Sequence, residues 1–220
     1  FDFETPQALD LPLINDHLSK LIAGNEILIP YYDFKTGKRT DNVTPMHLDR
    51  NDVLLIDSLH GLYEDMTSAV PQEQKFKVYL EPLLQMKDHQ GKYIRWTDIR
   101  LMRRMLRDAS HRAYKPTRTL EHWHYVRSSE LRNIIPMINS VDFIINSAMP
   151  FELPIFAARL IADFNQWIID YKEDPLKFDA YTRASRIQSW LQTVFPLQDD
   201  SFVPGDSVIR EFIGGSIYHY

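Results

Sequence analysis

At 220 residues, 44% of them apolar and 25% charged, the chain is long enough to bury a core and has ordinary globular composition. Its net charge of −5 argues against nucleic acid or an acidic membrane as a general partner, so any anion site must come from a local cluster of Arg and Lys. The absence of cysteine excludes disulfides, thiolate–zinc sites and thiol catalysis and fits a reducing, cytoplasmic setting, and no run approaches the ~20 apolar residues of a bilayer span. The opening FDFETPQALD has neither the basic nor the apolar segment of a signal peptide, and it lacks an initiator Met, which suggests a cut chain.

Residues 7–23 crowd Leu11, Leu13, Ile14, Leu18, Leu21 and Ile22 onto one side at helical spacing, and Gly24 stands where a helix would stop. ILIPYYDF, a turn at Gly37 and RTDNVTPMHL predict a hairpin, with Pro30 restricting it to an edge. Asp52–Asp57 (DVLLID) is a continuous apolar run ending in an acid, the pattern of a strand buried on both faces of a parallel sheet. Lys75–Leu80 and Val141–Asn146 are two further strands. Between them lie a strongly amphipathic helix, Thr97–Tyr114, and a second helical stretch, Thr119–Arg132. Helical patterns return over Leu153–Tyr171 and Pro175–Val194, with Trp167 and Trp190 on the apolar faces, and the tail DSVIREFIGGSIYHY reads as a short ordered extension. Strands alternating with helices point to an α/β layer architecture, followed by a helical layer after about Phe151.

Four constellations could carry chemistry. Asp57, at the carboxyl end of its run, is placed either to hold Mg²⁺ in a phosphate-transfer site or simply to end a strand. In Thr97–Tyr114, Ile99, Met102, Met105, Leu106 and Ala109 share a face, while Arg100, Arg103, Arg104, Arg107 and His111 form an adjacent basic stripe, with Arg112 following. Five arginines in thirteen residues suit a clamp on phosphate oxygens, or a solvated face paired with Asp98 and Asp108. Tyr32 and Phe34 alternate with Asp33, so their rings share one hairpin face, either for stacking a nucleobase or for packing. Glu121-His122-Trp123-His124 is a poor metal pair, because side chains two apart on a helix diverge. None of the seven glycines forms GxxxxGK[ST], GxGxxG or GxSxG, so the chain holds neither a P-loop nor a serine-hydrolase elbow.

Taken in order, FDFETPQALD, IPYYDFKTGKR, VLLIDSLHGLY and DIRLMRRMLRD with HRAY resemble the uridine kinase branch of the phosphoribulokinase/uridine kinase family of P-loop kinases. The likeness runs over residues 1–150; the helical remainder, 151–220, looks like that of longer bacterial members in which a TGS-type region precedes the kinase. The resemblance implies an α/β fold: an incomplete parallel-sheet, P-loop kinase-like core with a hairpin, an arginine-rich lid helix and a helical C-terminal extension. It implies ATP and Mg²⁺ as cofactors of the intact parent and a nucleoside as acceptor of the γ-phosphoryl group at its 5′-hydroxyl. Asp57 would take the Walker-B position and help place Mg²⁺, directly or through water. Arg104, Arg107 and Arg112 would meet phosphates and nucleoside. Tyr32 and Phe34 would line the base pocket, Glu4 would face the sugar hydroxyls and His124 the base.

The departures are specific. Gly37 stands where relatives carry a base-contacting His, Tyr114 where they carry a lid arginine, and Asp57 where they carry Glu. Family members place the P-loop, the first strand and a catalytic acid upstream of the segment matching Phe1, so the chain alone is expected to be inactive and to close its sheet by oligomerisation or element exchange. The alternative is a regulatory or interaction module that keeps the fold without nucleoside chemistry. RNA binding through the arginine stripe has the acidic net charge and the lack of an RRM, KH or OB signature against it.

Overall fold

The computed structural model describes residues 4–33, 36–111 and 115–218. Internal contacts divide the chain into a first unit, Phe1–Tyr79 with Ser128–Phe143, and a second, Leu80–Arg127 with Ile144–Tyr220.

The first unit begins with α1 (Leu11–Ile22). The Asp10 carboxylate accepts from the Leu13 N–H at 3.2 Å, which satisfies one of the donors a helix start leaves open. Gly24 ends the helix at φ 76°, a left-handed conformation in which the next N–H, of Asn25, reaches the Lys20 carbonyl at 2.9 Å. The buried stripe is narrower than the periodicity predicts: Leu18 and Leu21 are buried, Leu11, Leu13 and Ile14 only partly so, and Ile22 is exposed. The Asn15 side chain fastens the turn at 64–69 onto α1, donating to the Asp65 carbonyl at 2.7 Å and accepting from the Ala69 N–H at 2.8 Å.

The predicted hairpin is present as β1 (Ile27–Asp33) and antiparallel β2 (Lys38–Met46), turning through Gly37 at φ 67°. Its register slips at Pro30, where Ile29 faces Thr44 but Tyr31 faces Thr40. A proline offers no N–H to the ladder, so the partner strand bulges there, with Asn42 at φ 58°. The Arg39 guanidinium ties β2 back to Asp10 at 2.7 Å and, with the Leu13 N–H, holds that carboxyl below its usual range.

Asp52–Asp57 departs from expectation. It forms no strand, and Val53 and Leu55 are 89% and 88% exposed. A strand is made by its neighbours, and no described strand pairs with this run.

β3 (Val78–Glu81) and β4 (Phe143–Asn146) make a small parallel sheet. In the first unit the Lys77 carbonyl accepts from the Asp142 N–H at 2.9 Å; in the second the Glu81 carbonyl accepts from the Ser147 N–H at 2.9 Å, so the two strands ascend together. β4 is exposed along its length rather than sandwiched between helix layers.

The second unit holds the dense core. It contains α2 (Trp96–His111), most of α3 (Pro116–Asn133), α4 (Glu152–Tyr171), α5 (Phe178–Leu191) and the short α6 (Arg210–Ile213). Phe156, Leu160 and Phe164 of α4 interlock with Ala184, Ile187 and Leu191 of α5, and Trp167 and Trp190 are buried as their spacing predicts. Met102 and Met105 from α2, Leu120 and Trp123 from α3, and Ile209 from the tail complete the same cluster. Each large side chain so enclosed contributes about 1.5–3 kcal/mol by leaving water. On α2, Ile99, Met102, Met105 and Leu106 pack down as expected; Ala109 is exposed instead, and Leu101 widens the buried face. Among the described residues, no helix is long and apolar enough to cross a membrane. The fold is α/β, with a small parallel sheet, a hairpin, an arginine-rich helix and a helical C-terminal layer.

Candidate functional site

Acids from other elements and from α2 itself meet the arginines of the α2 stripe. Arg100 Nε lies 3.5 Å from Glu81 Oε1, and the Arg100 guanidinium lies 5.9 Å from the Trp123 ring. Arg103 is buried, gripping both carboxylate oxygens of Glu152 at 2.5 and 2.7 Å, the Ser147 hydroxyl at 3.1 Å and the Ser147 carbonyl at 2.7 Å. With its donors spent on this buried bidentate pair, Arg103 is a structural clamp between α2 and the start of α4. Arg104 Nε lies 3.6 Å from Asp108 Oδ2, the same oxygen that accepts from Thr119 Oγ1 at 3.0 Å. Arg107 Nη1 donates to Glu211 Oε1 of α6 at 3.1 Å. Asp98 pairs with none of the stripe; it is buried against Arg186 of α5 at 2.7 and 3.1 Å.

Arg104 opens onto a cavity of about 200 Å³ whose other polar lining is Asp108, Arg118, Thr119 and His122, with Trp123 and Val126 as its apolar wall. The α3 spacing that brings Arg118 and His122 together is four residues, one helical turn. His124 lies outside that lining. It is exposed, with Nδ1 2.9 Å from the Glu121 carbonyl and 3.7 Å from Asp179, and its ring meets Tyr125 at 3.9 Å between centroids, tilted by 39°. His122, and not His124, lines that cavity with Arg104.

Nearby, the Tyr171 hydroxyl donates to Glu121 at 2.8 Å, and Lys177 pairs with the same carboxylate at 2.5 Å. Burial pushes Tyr171 well above its ordinary value, and the Glu121 charge adds to the effect. For Glu121, burial acts upward but the Lys177 and Tyr171 hydrogen bonds outweigh it and leave the carboxyl below its usual range.

In the first unit, Tyr32 is 41% exposed, with its hydroxyl close beside Gly37. Glu4 is half-buried, and its carbonyl accepts from the Ser129 hydroxyl. Asp57 is exposed on the irregular run. A cleft of about 340 Å³ lined by His17, Lys20, Asn25, Glu26, Ile27, Leu28 and Asn42 includes none of these three. Its polar residues come from the end of α1, the following turn and the β2 bulge, which no sequence motif links. Phe34 and Arg112 lie outside the described residues. Among the described residues, no group of three or more His, Asp or Glu could hold a metal ion.

Comparison with known proteins supplies the class. The profile of the Phosphoribulokinase / Uridine kinase family matches residues 1–152, a stretch that takes in the hairpin, the Asp57 run and the arginine helix. The chain belongs to that family. It is 26% identical over 145 residues to the uridine kinase of Deinococcus deserti, an alignment covering 66% of this chain and 61% of that one. It is 29% identical over 120 residues to the uridine kinase of a Geobacillus species, covering 54% and 46%, and 25% identical over 169 residues to that of Chloroflexus aggregans, covering 74% and 70%. The chain thus spans only 61% and 46% of the length of the first two of these relatives.

Proposed function

We propose that the chain carries the acceptor-binding hairpin and the lid helix of an ATP-dependent nucleoside kinase, a uridine-like nucleoside being the acceptor. The observation that carries this reading is the family match across residues 1–152, which includes both elements in one continuous stretch. In this reading Tyr32, with Phe34, orients the base by stacking, and Glu4 faces the sugar. Arg104 and Arg107, with Arg112, receive the phosphates; both described arginines are partly exposed, as an anion receptor requires. Asp57 gives one oxygen to Mg²⁺, whose chemistry is to neutralise charge on the transferring phosphoryl group. Preparing the acceptor in this way, by position rather than covalent chemistry, is the main lever available to a phosphoryl-transfer protein.

The 220 residues hold no GxxxxGK[ST] loop, so by themselves they bind ligands without turning them over. The exposed Val53 and Leu55 support the same reading, since a run of that composition is built to sit between neighbouring strands.

Calorimetric titration of uridine into the chain tests the proposal. Tyr32→Ala should weaken uridine binding by about 5- to 150-fold, the worth of one aromatic–base stack. ATP consumption with a nucleoside panel should stay at background. If neither uridine nor any other nucleoside binds, the kinase reading fails. The second reading, an interaction module that keeps the fold, would then stand. The acid partner found beside each of Arg100, Arg103, Arg104 and Arg107 favours that alternative.

A further inference from the structure

We infer that Glu211 of the C-terminal segment is a built-in competitor for the anion at Arg107, so that the tail sets the phosphate affinity of the lid helix. The inference rests on the reading of Arg107 as a phosphate-facing residue. Arg107 Nη1 and Glu211 Oε1 are 3.1 Å apart, and the two side chains remain 31% and 30% exposed, within reach of a solute. A guanidinium binds carboxylate and phosphate oxygens with the same N–H groups, so one occupant excludes or weakens the other. Glu211 lies beyond the family match, which ends at residue 152, so the counter-charge comes from this chain's C-terminal segment.

The tail delivers that carboxylate from a fixed base. Ile209, Phe212 and Ile213 are buried, and Phe212 lies under the Arg103 guanidinium at 5.2 Å. Arg210 holds the Val203 carbonyl at 2.6 Å, the Asp200 carbonyl at 2.8 Å and the Asp200 carboxylate at 3.1 Å. The backbone of α6 is therefore pinned on both sides of Glu211. An ion pair this exposed is weak enough for a polyphosphate to displace and strong enough to reduce its affinity by up to about five-fold.

Inorganic tripolyphosphate titrated into the full chain gives the test. Glu211→Gln should tighten binding by about 1.5- to five-fold. Glu211→Ala, which empties the position, should do the same, and Arg107→Gln should erase the gain when combined with either. Unchanged or weaker binding in both Glu211 variants, with Arg107→Gln still harmful, would show that Glu211 positions Arg107. That result overturns the inference and leaves the phosphate role of Arg107 intact. Indifference of tripolyphosphate binding to Arg107→Gln in every background removes that role, and the inference with it.

Discussion

The first unit leaves Tyr32 and Asp57 exposed on a sparse frame, whereas in the second an acid meets each of Arg100, Arg103, Arg104 and Arg107. Tyr32 and Asp57 stand open on a hairpin and an irregular run; Arg103 and Asp98 are locked by Glu152 and Arg186. The contrast teaches that a charged residue counted from sequence is not yet a free charge. Arginine on a helix is available to a ligand only to the extent that the fold brings no acid to it, and the acids here come from β3, α4, α6 and α2 itself.

The contrast can be broken first at the buried clamp. Arg103→Ala should destabilise the chain by about 3–5 kcal/mol in denaturant unfolding, because Glu152 would be left charged and buried. A cost near zero would mean that water reaches Glu152 and that the second unit is looser than described. Next in size is Gly24→Ala in the first unit. Nothing crowds the position, so the expected loss of about 1 kcal/mol comes from the left-handed backbone alone.

A smaller effect sharpens the picture through pH. Glu121, depressed below its ordinary value of 4.5, contributes stability above that value and loses it as pH falls through the folded one. Tyr171, raised above its ordinary 10.0, contributes below that value and loses it as pH rises through the folded one. Glu121→Gln should therefore flatten the acid arm of the stability–pH curve, by less than about 1 kcal/mol for a group this near to solvent. The smallest effect is expected of Leu55→Ser, within about 0.5 kcal/mol, since the side chain is 88% exposed. A loss well above that would show the run buried as a strand in solution, and the difference between the units would shrink.

Much of the helical half was legible because its signal is local. Ile99, Met102, Met105 and Leu106 recur at the pitch of a helix, and Trp167 and Trp190 ride on apolar faces whatever they pack against. The hairpin was legible for the same reason: Gly37 permits the turn, and Tyr and Ile flank it. Asp52–Asp57 reads as a strand in sequence because a continuous apolar run records a need for neighbours without showing that they are present. The cavity residue His122 carries only a faint sequence signal, its four-residue step from Arg118.

By itself, then, the order of residues determined the helices, the turn, the lack of a phosphate-cradling loop and the family, all properties of short segments read one at a time. Only the tertiary structure decided which carboxylate meets which guanidinium, because such pairs join residues as far apart as Arg107 and Glu211, and electrostatic partnership depends on distance through space.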